Sequence, residues 1–219
     1  MSNILQIGFT VEGTTDERFL SNIIRKTYEN LVFECSSDIE VHSPEFLETD
    51  STDFIAGIEA LAVEYDFFHV ICVHCDADSK DATRVLSNKI NPAFDAVRRN
   101  INACKNLVAV VPVRMTEAWM MCDLDLLKQK IGTSMSNADL NLPEKVHQIE
   151  RIANPKPPIN ETIRLSQTEI SRRRRKLTIS DLYSPISQEL SIESLMNLPS
   201  YQKFAEDARD SLRELNYLK

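Results

Sequence analysis

The sequence predicts an α/β protein: a mostly parallel, Rossmannoid sheet of about four strands with helices on both faces, followed by a helical C-terminal segment. Three observations predict it. Apolar runs at 4–11, 67–75 and 107–113 are nearly continuous, as in strands covered on both faces. Helix-period patterns separate them. After Gly132 no strand-like run follows, and Pro143, Pro155, Pro157, Pro158, Pro185 and Pro199 punctuate short helical patterns.

Residues 4–11 read as the first strand. Thr14 then fits an N-cap, with Glu17 completing a capping box. Phe19, Leu20, Ile23 and Ile24 supply helical spacing to about residue 30. Residues 39–42 form a short second strand, and 43–50 a polar loop. A helix over 53–64 buries Phe54, Ile55, Ile58 and Leu61. Residues 67–75, FFHVICVHC, are the clearest strand, rich in β-branched and aromatic side chains. A helix over 80–100 breaks or kinks at Pro92. The strand at 107–113 leads into a helix over 116–130, which Gly132 stops. The last helix, near 200–218, places Phe204, Ala208, Leu212 and Leu215 on one face. Two units are expected, a sheet domain over 1–135 and a helical subdomain over 136–219 packed against it.

At 219 residues the chain can bury one substantial core with an appended subdomain. Only 4 glycines are present, which argues against repeats and low-complexity linkers. No apolar run approaches the roughly 20 residues of a membrane span. The N-terminus lacks the basic region and cleavage site of a signal peptide, and the 5 cysteines are odd in number and scattered. A cytoplasmic protein with reduced thiols is expected. Cys72 and Cys75 stand three apart on a strand and so face opposite ways, which argues for buried structural cysteines over a shared zinc.

The net charge of −8 argues against a protein that coats nucleic acid indiscriminately. Its distribution says more. Residues 136–219 carry 13 basic and 12 acidic groups, leaving 12 basic and 21 acidic for the first 135. The acidic part needs cations or a basic partner.

Glu12, Asp76 and Asp78 each follow an apolar strand, so a parallel sheet brings them to one edge. Such a cluster is unfavourable unless cations neutralise it or some groups keep a proton. Hard oxygen ligands favour Mg²⁺ or Mn²⁺. A D-x-D pair can flank one ion, and a glutamate across from it can be a further ligand or the base for a water. Plainer explanations stand beside these: Asp16 and Glu17 suit the helix dipole, and Asp76 and Asp78 suit an Asx-turn with an N-cap.

Glu12-Gly13-x-x-Asp16, followed by Asp76-x-Asp78, resembles the Toprim domain. That domain is shared by topoisomerases, primases, recombination mediators and the overcoming-lysogenization-defect nucleases. The phrase VEGTTDERFL and the later V-P-V-x-x-x-E-A-W-M-M-C-D stretch are similar to a group of short stand-alone bacterial Toprim-like proteins near that nuclease branch. The resemblance covers roughly the first 130 residues. It implies a Toprim-like fold and Mg²⁺-dependent phosphodiester chemistry. Glu12 would be general acid/base or metal ligand; Asp76, Asp78, Asp16 and the acid after the fourth strand, Glu117, would bind metal. It also implies a nucleic-acid substrate and, since several such proteins accompany an ATPase in phage-defence operons, an ATPase partner. A plainer role for Glu117 is the first helical turn behind a Thr116 cap.

Lys80 follows the D-x-D and could bind a phosphate, though a solvated helix-start lysine is the better explanation. Arg172, Arg173, Arg174, Arg175 and Lys176 form the one basic run. It reads as a solvated stretch, a phosphate track to the acidic edge, or a contact for an acidic partner. No interleaved aromatics support base stacking there. His74 is expected in the sheet layers in a structural role, His69 remote from the edge, and Trp119, Met120 and Met121 on a buried helix face. A non-catalytic module that binds an ATPase or nucleic acid is the alternative. A receiver-like phosphotransfer domain is a third reading, weakened by the lack of a lysine after the fourth strand.

Overall fold

The computed structural model describes residues 3–49, 51–167 and 177–219. The basic run at 172–176 lies outside the described residues.

The first strand is broken at Gln6 into β1 (Asn3–Leu5) and β2 (Ile7–Thr10). The helix α1 (Thr14–Leu31) returns the chain to β3 (Ile39–Val41) and β4 (Glu45–Phe46). Next come α2 (Phe54–Glu64) and β5 (Val70–His74). A short α3 (Thr83–Val85) runs through a π-turn at Leu86–Ile90 into α4 (Asn91–Arg99), and β6 (Leu107–Val110) follows. The strand order is β4-β2-β5-β6, all parallel, with β1 and β3 paired beside it. The fold is therefore α/β with a parallel sheet, as expected.

Strand alternation builds a core on each face. Ile7 and Phe9 of β2, Val70 and Cys72 of β5, and Val108 and Val110 of β6 join the α1 core. Ile71, Val73 and Cys75 join the opposite core with residues of α2 and α4. Every residue of β5 is buried, which is why its sequence is apolar from Val70 to Val73, with the buried His74 at its end. Gly8 is needed for space: a Cβ there would lie 2.5 Å from Leu47 Cδ1.

The later helices are α5 (Thr116–Met120), α6 (Leu124–Ile131), α7 (Lys156–Ser166), α8 (Tyr183–Glu189), α9 (Ile192–Leu195) and α10 (Pro199–Glu214). Leu140, Ile149, Ile159, Tyr183, Phe204 and Leu212 share the α1 core, so the C-terminal helices extend it. Trp119 anchors this region edge-on to Tyr201 and donates from Nε1 to Ser200 Oγ at 2.7 Å. Among the described residues no helix is long and apolar enough to cross a membrane.

Several expectations need correction. Thr14 is not a cap. Gly13 is the N-cap, in extended backbone without a side-chain bond, and its carbonyl accepts from Asp16 N at 3.1 Å and Glu17 N at 3.2 Å. The supposed loop at 43–50 contains β4, where Phe46 packs on Phe9 with ring centroids 5.9 Å apart. The helix expected over 116–130 is two. Asp123 caps the second, accepting from Leu126 N at 2.9 Å. The helix expected from 80 starts at Thr83, and the π-turn absorbs the disruption just before Pro92, which has no N–H to give. Gly132 stops α6 as expected, in the left-handed conformation at φ 81°.

Candidate functional site

The chain leaves β2 toward β4 on one side and reaches β5 on the other, so the sheet's switch point lies between β2 and β5. Open α/β sheets bind ligands in the crevice at such a point, beyond the carboxyl ends of the strands. Thr10 pairs with Val73 and His74 with Val110, so Glu12 and Asp76 emerge side by side at this edge.

Backbone bonds continue past the strand ends. Cys75 N donates to Val110 O at 3.2 Å, Ala77 N to Pro112 O at 3.1 Å and Asp78 N to Arg114 O at 2.9 Å. Both residues of the last pair are left-handed, Asp78 at φ 50° and Arg114 at φ 69°. Left-handed backbone costs a non-glycine residue about 1–2 kcal/mol, strain of the kind that clusters at functional sites. This zipper holds the D-x-D loop against the loop after β6. Asp76 Oδ1 accordingly accepts from Thr116 N at 3.1 Å and lies 3.2 Å from His74 Nε2.

His74 belongs to the site's architecture. Its side chain is 1% exposed, and Thr116 Oγ1 lies 3.4 Å from Nε2. Nδ1 has no hydrogen-bond partner. Donation from Nε2 to Asp76 fits this, because it leaves Nδ1 as a bare acceptor; a buried N–H without an acceptor would cost more. His69 is remote, as expected: at the far end of β5 its Nδ1 accepts from Gln6 N at 3.0 Å, across the break in the first strand.

Asp16 joins Asp76 from the first turn of α1. Burial pushes its carboxyl above the usual range and Asp76 adds to this, while His74, the Thr116 hydroxyl and Lys156 pull the other way. A Cβ on Gly13 would sit 3.0 Å from Asp16 Oδ2, so this glycine makes room for the carboxylate. The Glu-Gly-x-x-Asp spacing thus has a steric reason.

Glu12 lies on the other side of the crevice. Its Oε1 accepts from Lys89 Nζ at 3.1 Å, in a half-exposed pair. The hydrogen bond to Glu12 keeps Lys89 protonated above its ordinary range, with Cys75 and Asp78 adding to the effect. Lys89 also lies 5.8 Å from the centre of the Phe54 ring. Burial, with Glu12 nearby, holds the Cys75 thiol well above its ordinary range.

Glu117 is 2% exposed. The Tyr183 hydroxyl donates to its Oε1, and Lys156 Nζ stands 3.3 Å from the same oxygen. Lys80 is exposed and lines a different cavity of about 560 Å³, between β6 and α10, with Val111 and Phe204.

The predicted acids therefore fall into two neighbourhoods. Asp16, Asp76 and Glu117 gather on the α1 side with His74, Thr116 and Lys156. Glu12 and Asp78 face Lys89, across a hollow that Asp76 also lines. Among the described residues no three of His, Cys, Asp and Glu converge to hold a metal ion. The donor set still fits Mg²⁺ or Mn²⁺. The side chains are hard carboxylates, and Mg²⁺ is ordinarily held by one or two carboxylates with water and substrate phosphate completing the shell. Asp16 and Asp76 supply such a pair, and the raised Asp16 carboxyl is what a nearby cation would relieve.

Lys89, Lys156 and Tyr183 were not legible in the sequence, and Thr116, expected as a cap, is instead the first residue of α5 behind the N-cap Met115, its N–H donating to Asp76. Lys89 lies within an irregular turn and Lys156 in a proline-flanked helix far downstream, so neither carries a local signal. The His74-x-Asp76 spacing was the one available sign, since residues two apart share a strand face. Comparison with known proteins finds no matching family model, no matching curated protein and no matching solved structure.

Proposed function

We propose that this protein is a Mg²⁺- or Mn²⁺-dependent nuclease, hydrolysing phosphodiester bonds at a Toprim-like site. The observation that carries the reading is the fixed Asp76 carboxylate, bonded to Thr116 N and beside His74, next to the buried Asp16 at the sheet's switch point. Two adjacent carboxylates in a poorly solvated crevice are a cation site by electrostatics.

Asp16 and Asp76 would hold the cation, with Asp78 at the mouth of the site. A bound divalent ion supplies Lewis-acid stabilisation of charge developing on the phosphodiester. Glu12 is half exposed across the crevice, where it can take a proton from an attacking water. Thr116 and His74 keep Asp76 in one orientation, which removes a reorganisation cost from the site. Glu117, enclosed by Tyr183 and Lys156, is assigned to holding α5 and α8 to the sheet edge.

The resemblance further motivates a cytoplasmic role in defence against foreign nucleic acid with an ATPase partner. The five free cysteines are compatible with a reducing compartment. A second reading, a non-catalytic module binding an ATPase or nucleic acid, is favoured by one observation: Glu12 and Glu117 each already have a lysine partner.

Cleavage of labelled single- and double-stranded DNA and RNA under Mg²⁺ and Mn²⁺ decides between them. Wild-type protein is expected to cleave, Asp76→Asn to be inactive, and Glu12→Gln to be slower by about 10²–10⁴-fold. Wild type as inert as Asp76→Asn with both metals, alone and with the ATPase, would leave the binding module standing.

A further inference from the structure

A second polar hollow, of about 320 Å³, opens beside the D-x-D loop. Asp76 and Asp78 form one wall; Arg84, Asn88 and Lys89, on the helix that follows, form the other. We infer that this second wall is the site's phosphate-binding subsite, taking the backbone phosphate of a single nucleic-acid strand between its donors and a cation held by the acids. The inference rests on the proposed metal-dependent reading of the acidic wall and adds to it the residues that receive the substrate.

Acids alone repel a phosphodiester, so a site that acts on one needs donors facing them. Arg84 is exposed and makes no ion pair among the described residues, leaving its planar fork of donors free to engage phosphate oxygens. Asn88 accepts from Ser87 Oγ at 3.2 Å through Oδ1, which leaves its amide hydrogens to donate. Lys89 lines both this hollow and a neighbouring one of about 400 Å³ that contains Glu12, so its ammonium links the two halves of the crevice. Its bond to Glu12, at 3.1 Å, is half exposed and can be exchanged for a phosphate oxygen.

The π-turn at Leu86–Ile90 contributes to the arrangement. Its i→i+5 closure adds a residue to the turn, which lets residues five apart, Arg84 and Lys89, share a wall. Such turns are rare and recur at functional sites. No aromatic ring lines the hollow, so nothing there stacks on a base. Recognition is expected to be of the backbone and tolerant of sequence.

The test is fluorescence anisotropy with labelled oligothymidylate and oligouridylate, in Ca²⁺ to suppress turnover, over a series of salt concentrations. Wild type is compared with Arg84→Met, Lys89→Met, Arg84→Lys and an exposed control, Arg99→Met. Arg84→Met and Lys89→Met should each weaken binding and flatten the plot of log K against log salt by about 1. Arg84→Lys should keep most of the slope and Arg99→Met all of it. Mn²⁺ affinity by calorimetry should be unchanged in Arg84→Met and lost in Asp76→Asn. Wild-type slope and affinity in Arg84→Met, for both oligonucleotides, would overturn the subsite, as would failure of wild type to bind either. Asp76→Asn that still binds Mn²⁺, alongside a flattened slope in Arg84→Met, would instead remove the metal reading and leave the phosphate wall standing.

Discussion

Replacing Tyr183 by Phe removes one hydroxyl from a place with almost no solvent. Tyr183 and Glu117 are each 2% exposed, and the hydroxyl donates to Glu117 Oε1. Phenylalanine keeps the packing, so the loss is a hydrogen bond to a charged acceptor, about 1.5–3 kcal/mol. The Lys156 ammonium, 3.3 Å from the same oxygen, remains as a partner of the carboxylate and offsets part of the loss. The expected cost is about 2 kcal/mol. For a chain of this size that lowers the melting temperature by about 4–8 °C. Urea denaturation followed by circular dichroism measures it. A double-mutant cycle with Glu117→Gln should return a coupling of about 1–2 kcal/mol. Glu117→Gln should leave Mn²⁺ affinity unchanged, because its carboxylate is already engaged. A Tyr183→Phe cost below about 0.5 kcal/mol, together with loss of Mn²⁺ binding in Glu117→Gln, would refute this reasoning and make Glu117 a metal ligand.

Asp16→Asn should raise the melting temperature of metal-free protein at neutral pH. Burial raises the folded-state carboxyl pKa, so its stabilising contribution is complete below about pH 4 and is lost as pH rises through the raised value; Mg²⁺ should then stabilise wild type more than the variant, as a thermal-shift series would show. Gly8→Ala should cost about 1–3 kcal/mol by overpacking, because its Cβ would stand 2.5 Å from Leu47 Cδ1; equilibrium unfolding checks this. Gly132→Ala meets no neighbour within 4 Å and should cost only about 1–2 kcal/mol of left-handed strain at φ 81°. Burial raises the phenols of Tyr28, Tyr183 and Tyr201, the last to about 12. Their stabilisation is complete below about pH 10 and is lost as pH rises further, so an alkaline titration should show unfolding accompany the rise in phenolate absorbance.

The sequence by itself determined the α/β order and the edge that carries the acids. Both follow from local physics: β5 is apolar from Val70 to Val73 because helices cover both faces, and a parallel sheet brings the ends of β2 and β5, with Glu12 and Asp76, to one side. Gly132 was legible as a stop for the same local reason. The break between α5 and α6 at Asp123, and β4 within a polar stretch, were harder to read. A cap inside a helical pattern and a two-residue strand leave little trace in periodicity. Only the tertiary structure decided which acids share a neighbourhood and what neutralises them. It set Lys89 against Glu12, and Lys156 and Tyr183 against Glu117. Lys89–Glu12 spans 77 residues and Tyr183–Glu117 spans 66. Groups that far apart in the chain become neighbours only when the sheet and the C-terminal helices close around them, so no local pattern could encode the pairing.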